Sequence, residues 1–426
     1  MPNALEIHNL MRFLDAGRTP FHVVDQIRTM LLESGFTELD EGKPWVLESA
    51  QSYFVLRGGS SLIAFRTPMR FSPDTRLHLV AAHTDFPALH IKPHPSVFRE
   101  GYHLLNVEVY GSPILSTWID RDLCFGGQLV FRHKGERDLR TRLVDSNMVV
   151  RIPSLAVHLQ DSSKENSLNA QTQMMPVLGL SGGDVYFHHL LESHLNPGED
   201  LVDWDLQLYD SAKASLSGLS NEFVLSSRID NLAMAHAAVR ALQESTAHGT
   251  NLSGVMLFHN EEVGSLSWQG AQSTMASQVL ERIFNAFQAS RDMYFATLNR
   301  SFCISADMSH AVHPAYEDRH DPTHHPRING GPVLKVNAAR HYATEAVTSA
   351  HFRELCRMAN VDLQTFVARN DQRCGSTIGP ALAALAGIPT VDVGNPMLSM
   401  HSIREMMGSE DHDTMIRLLK TFFAQE

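Results

Sequence analysis

The run Leu77-His78-Leu79-Val80-Ala81-Ala82 stops at His83-Thr84-Asp85, and this change from apolar to polar text decides how the chain is read. A short, largely apolar run suits a strand buried on both faces, and the polar cluster marks where that strand ends. The pattern recurs at Gly254-Val255-Met256-Leu257-Phe258, which runs into His259-Asn260-Glu261-Glu262, and at Phe302-Cys303-Ile304-Ser305-Ala306, which runs into Asp307. A fourth run is Thr390-Val391-Asp392-Val393. Between them lie helical patterns: Asn231 to Glu244, with Leu232, Ala235, Val239 and Leu242 near helical spacing, and Leu280 to Ala289. Alternating strands and helices predict an α/β sheet flanked by helices.

Upstream, the first 70 residues carry short amphipathic patterns, Leu5 to Leu14 and His22 to Leu32, and a strand-like piece at Ser52 to Leu56. The middle third reads as β-rich, with strand-like pieces around Leu104 to Tyr110 and Leu129 to His133, a turn-rich polar stretch from Asp161 to Thr172, and short strands up to Leu208. The expectation is a discontinuous catalytic domain, 1–93 plus 226–426, interrupted by an inserted domain over 94–225. A length of 426 residues fits two domains, since single cores stop growing at about 250 to 300 residues.

Composition narrows the function classes. With 43% hydrophobic and 19% charged residues and no run near the roughly 18 apolar residues of a membrane span, no membrane role is suggested. The N-terminus lacks a basic segment followed by an apolar run, so a cytoplasmic location is expected. Cys124, Cys303, Cys356 and Cys374 form no C-x-x-C pair, which argues against a thiolate metal site or a disulfide framework. A formal charge of −12 disfavours nucleic-acid binding. Histidine, at 24, is abundant.

In open α/β sheets, side chains just past the carboxyl ends of separate strands converge on ligands. Here those positions supply His83, Asp230, Glu261 with Glu262, Asp307, and His401. Two histidines and three carboxylates, with Asp230 shared, would give each of two metal ions three protein ligands and leave room for a bridging water. Two divalent ions against three carboxylates leave about one positive charge, which favours ionising that water to a hydroxide nucleophile. Of the adjacent glutamates Glu261 and Glu262, which point in different directions in a loop, one would bind metal and the other would carry the proton from water to leaving amine. Asp85 would accept the second N–H of His83 and fix its tautomer. Taken singly, a histidine in an apolar context or a Glu-Glu pair is ordinary. The distinguishing point is that His83, Glu261 and Asp307 each follow a buried strand, where charge is costly unless paired or metal-bound.

Other readings compete. Gly179-Leu180-Ser181-Gly182-Gly183 satisfies the G-x-S-x-G pattern of serine hydrolases, but it sits in the polar insert and leaves five potential ligands unexplained. A non-enzymatic carrier with the same fold is a second alternative, and a dinuclear hydrolase of another kind, such as a deacylase, a third.

Nine motifs, in order, resemble the M18 metallopeptidases, the aspartyl aminopeptidase family. They are Ala82 to Asp85, Thr117 to Leu123, Arg151 to Leu159, Ser227 to Leu232, His259 to Ser265, Ser305 to Pro314, Gly331 to Asn337, Gly375 to Pro380, and Met400 to Glu405. The resemblance implies a mixed-sheet dinuclear-metallopeptidase domain flanked by helices, with an inserted β-rich oligomerisation domain and a homo-dodecamer. Asp230 would bridge two zinc ions per subunit, with manganese or cobalt also compatible; His83 and Asp307 would complete one site, and Glu262 and His401 the other. Glu261 falls on the family's general base, and His158 on a histidine that reaches into a neighbouring subunit's active site. The implied substrates are peptides with an unblocked N-terminal Asp or Glu. Lys335 would pair the acidic side chain, and His310, His313 and Tyr342 would line the site. The insert from Asp161 to Pro197 is shorter and more polar than the family pattern. His320, His324 and His325, beside Pro322 and Pro326, read as an exposed loop without ligands.

Overall fold

The computed structural model describes residues 4–160, 168–180, 187–246 and 249–425. The chain divides into two units, Met1–Phe86 with Ala214–Met400 and Glu405–Glu426, and Pro87–Lys213 with His401–Arg404.

Among the described residues, the first unit has a mixed nine-stranded sheet in the order Thr37–Leu39, Ser52–Arg57, Ser61–Arg66, Leu252–Phe258, Leu77–His83, Phe302–Ala306, Thr390–Gly394, Val333–Val336, Gln364–Val367. The strands Leu252–Phe258, Leu77–His83, Phe302–Ala306 and Thr390–Gly394 run parallel, so their carboxyl ends share one edge. Phe258 pairs in register with His83, and Ala306 with Val393.

Helices cover both faces of this sheet, which explains the apolar runs. Successive strand residues point to opposite faces. Val80, Ala82, Val255, Leu257 and Ile304 therefore join a core with the helices Ala4–Ala16, Pro20–Glu33, Ile229–Glu244 and Asp411–Phe423. Leu77, Leu79, Ala81, Met256 and Phe258 pack instead with the helices Met275–Ala286, Arg291–Arg300 and Gly379–Ala386. The helix Ile229–Glu244 is buried nearly all round, with Ala233, Ala237, Ala238 and Ala241 enclosed as well as Leu232, Ala235, Val239 and Leu242. Small side chains let it sit close to both the strand Leu77–His83 and the helix Asp411–Phe423.

The second unit holds an antiparallel six-stranded sheet in the order Arg140–Asp145, Leu123–His133, Glu199–Asp210, Ala88–Arg99, Tyr102–Tyr110, Val177–Leu180. Leu89, Leu105, Phe125, Phe187 and Leu208 are in its core.

The boundaries differ from the expected 94 and 225. Ala88–Arg99 is a strand of the second unit from its first residue. Phe223–Ser226 pairs with Glu405–Gly408 in a five-stranded sheet of the first unit that also takes Ser215–Ser217, Pro396–Leu398 and Ser309–His310. Among the described residues, no helix is long and apolar enough to cross a membrane.

Candidate metal centre

The site in the first unit is built at the carboxyl ends of the parallel strands. His83, the last residue of its strand, is 1% exposed. Its Nδ1 lies 3.0 Å from the backbone carbonyl of Asp85. A carbonyl can only accept, so Nδ1 carries a proton, which leaves Nε2 as the nitrogen that could bind a metal. Nε2 faces Asp307 Oδ2 at 3.3 Å, Asp230 Oδ1 at 3.7 Å and Glu261 Oε2 at 4.0 Å.

The sequence reading assigned this tautomer control to the Asp85 side chain. The structure gives it to the Asp85 backbone, with the carboxylate farther away at 3.6 Å. The carboxylate has another use: its two oxygens each accept a backbone N–H, from Glu261 and from Glu262, both at 3.1 Å. The fully buried Asp85 thereby caps the 3-10 turn Glu261–Val263 and sets the direction of both glutamates. The turn is entered through Asn260 in the left-handed region at φ 64°.

Asp230 stands where regular helix has not yet begun: Arg228 is left-handed at φ 64°, and Asp230 has ψ 110°. The Asp230–Asn231 peptide is cis. Two bonds hold the segment. Asn231 Nδ2 donates to the carbonyl of Ala306 at 2.8 Å, tying it to the residue before Asp307, and Asp230 N–H donates to Glu405 Oε2 at 3.1 Å. Asn231 and Glu405 were not singled out from sequence. The available signal was adjacency, since both fall inside quoted motifs beside candidate ligands or at their end.

Asp307 follows its strand directly, with its N–H on the carbonyl of Val393 at 2.8 Å. One oxygen faces His83, and the other receives the ammonium of Lys335 at 2.5 Å. Against the upward push of burial, Lys335 and His83 hold the Asp307 carboxyl well below the usual carboxylate range. Burial raises Glu261 to about 8; His83 opposes this, while Asp307, Asp85 and Asp230 reinforce it. Burial also disfavours the charged form of His83, but Asp307 and Asp85 raise its proton affinity well above that of a free imidazole. An imidazole nitrogen and several carboxylates converge on one buried point that attracts positive charge, whether a proton or a metal ion.

That donor set suits a divalent ion. His83, Asp230 and Asp307 each offer a ligand atom within 4.8 Å of the others, and Asp230 and Glu262 do the same as a pair. Nitrogen and oxygen donors without thiolate fit zinc and also manganese or cobalt.

Other expected residues are placed as follows. Lys335 is 3% exposed, in the strand Val333–Val336, with Nζ 5.5 Å from the Tyr342 ring. Tyr342 is buried, His310 is exposed with its ring 5.6 Å from that of Phe366, and His313 is half-buried with its N–H on His320 Nε2 at 3.1 Å. His324 pairs with Asp321 at 2.8 Å. In the second unit, His401 Nδ1 donates to the carbonyl of Ser112 at 3.1 Å. His158 is exposed in the 3-10 turn Val157–Leu159. Of the G-x-S-x-G stretch, Val177–Leu180 is an edge strand, while Ser181, Gly182 and Gly183 lie outside the described residues.

The chain matches the family model described as "Aminopeptidase I zinc metalloprotease (M18)" over residues 13–423. It is 40% identical over 424 residues to a "Probable M18 family aminopeptidase 2" of Pseudomonas aeruginosa, covering 97% of each. Among solved structures it is similar to the one titled "Cryo-EM structure of the Ape4 and Nbr1 complex", with TM-score 0.91 and 38% identity over 98% of this chain and 85% of that one. It is also similar to "Structure of S. cerevesiae mApe1 dodecamer", with TM-score 0.86 and 29% identity over 98% and 96%. A likeness sustained along nearly the whole length, in sequence and in fold, means that the chain belongs to the M18 family of zinc metallo-aminopeptidases.

Proposed function

We propose that this M18 aminopeptidase uses two metal ions and removes unblocked N-terminal Asp or Glu from peptides. Asp230 would be shared between the two ions, with His83 and Asp307 holding one and Glu262 and His401 the other. The observation that carries the reading is the buried convergence of His83, Asp230 and Asp307, with Glu261 alongside. When bound, the ions supply Lewis-acid polarisation of the scissile carbonyl and of the attacking water. Glu261 would take a proton from the attacking water and return it to the leaving amine, a role that its place 4.0 Å from His83 Nε2, beside the metal-binding cluster, supports. Asp85 keeps Glu261 and Glu262 apart in role by holding both backbone N–H groups.

Lys335 attracts the acidic side chain, with His310, His313 and Tyr342 around it. An ammonium has three donors, so its bond to Asp307 leaves donors for a substrate carboxylate. The overall charge of −12 does not oppose this, because exposed charges are screened beyond about 8 Å.

His158 acts in a neighbouring subunit of a homo-dodecamer, stabilising the tetrahedral intermediate. Its exposed turn, with Val157 at 72% and Leu159 at 71% exposure, supports a subunit contact, and the mApe1 relative is titled a dodecamer.

The test is release of the N-terminal residue from matched Asp-, Glu-, Leu- and Lys-peptides, before and after metal stripping and zinc restoration. Metal-dependent turnover fastest on the two acidic peptides is expected. Equal rates across the four defeat the acidic preference, and turnover that survives stripping but is lost to a fluorophosphonate probe defeats the metal mechanism.

A further inference from the structure

We propose that Lys335 is a positioning residue of the metal centre, holding Asp307 in the orientation that presents one carboxylate oxygen to the metal position beside His83. This rests on the two-metal reading above but concerns a different property, metal affinity rather than substrate choice.

The geometry is that of a clamp. Asp307 Oδ1 accepts from Lys335 Nζ at 2.5 Å, while Oδ2 lies 3.3 Å from His83 Nε2. The backbone bond from Asp307 N–H to Val393 fixes where the residue starts, not how its carboxylate is turned. Lys335 supplies that second constraint from the neighbouring part of the sheet. Its strand pairs with Thr390–Gly394, which pairs in turn with the strand leading to Asp307. The ammonium is buried, and a buried cation is retained only against a close anion. Its Nζ also lies 5.5 Å from the centroid of the Tyr342 ring, which limits where the ammonium can go.

One residue then serves two ends. The cation proposed to read the substrate's acidic side chain also orients a metal ligand, so the pocket and one of the two metal positions share a part. Outer-shell partners of metal ligands typically contribute about 10- to 100-fold in metal affinity. The effect falls on one metal equivalent, because Glu262 and His401 do not depend on Lys335.

The experiment is a zinc titration of the metal-stripped full-length protein against a chromophoric chelator, without substrate, for wild type, Lys335→Met and Lys335→Arg. Expected is a loss of about 10- to 100-fold in affinity for one of two zinc equivalents in Lys335→Met, with Lys335→Arg, which keeps a cation at the carboxylate, within a few-fold of wild type. A Lys335→Met titration that superimposes on wild type overturns the proposal, as does a Lys335→Arg protein that binds as weakly as Lys335→Met. Assaying Asp- against Leu-peptide on the zinc-saturated variants separates the two roles. Weakened zinc with unchanged preference sinks the substrate role alone; lost preference with unchanged zinc sinks the positioning role alone.

Discussion

Two regions, one in each unit, break the rule of apolar inside and polar outside in opposite senses. In the first, charged side chains are buried: Asp85 at 0% exposure, Asp230 at 4% and Lys335 at 3%. In the second, large apolar side chains are exposed: Leu155 at 56%, Val157 at 72%, Leu159 at 71% and Leu180 at 74%. Each inversion names what would offset it. Buried carboxylates around an imidazole lone pair call for a cation, whereas a protruding apolar turn calls for another protein surface. On the proposed function, the first concerns chemistry and the second assembly.

The largest test of this contrast acts on the first unit. Glu261→Gln keeps the shape of the side chain and removes the proton carrier, so kcat should fall by about 10²- to 10⁴-fold. Metal content, measured by elemental analysis, and oligomer size should stay as in wild type. Unchanged turnover would remove Glu261 from the mechanism.

The next acts on the second unit. His158→Ala should lower kcat by about 10²- to 10³-fold if the imidazole stabilises the intermediate across a subunit boundary. Leu159→Asp, which places a charge on the same exposed turn, should break the assembly in analytical ultracentrifugation and lower activity with it. A fully active dissociated subunit would mean that the apolar turn has no part in the reaction.

The smallest concerns buried groups remote from the metal. His236 Nδ1 and His412 Nε2 are 2.9 Å apart inside the first unit. Burial holds His412 down to about 4 and His236 well below its ordinary value. Between pH 6.5 and about 4 the unfolded chain binds protons that the folded chain refuses, so stability contributed by the neutral pair is full above about 6.5 and is lost as pH falls through this window. The total is on the order of a few kcal/mol. Melting temperatures from pH 7 to pH 5 should fall more steeply in wild type than in His412→Phe. Parallel slopes would mean that the pair does not titrate between the two states.

The strands that carry the site were legible because each is a short apolar run buried on both faces, ended by a polar residue: Leu77 to His83, Leu252 to Phe258, Phe302 to Ala306. The helix over Asn231 to Glu244 was legible from its spacing. The unit boundary was not, because the pairing of Phe223–Ser226 with Glu405–Gly408 joins segments nearly the whole second half of the chain apart, and four-residue strands carry little pattern of their own. Nor could sequence separate the Asp85 backbone, which bonds His83, from its carboxylate, which bonds the glutamate turn.

Residue type and local periodicity were enough to set which side chains end which buried strands, since an apolar run interrupted by His, Asp or Glu has few ways to satisfy the charge. Which oxygen faces which partner is a matter of angles between elements distant in sequence. The pairing of Lys335 with Asp307 exists because two strands separated by a third are packed in one sheet, and no local pattern records it.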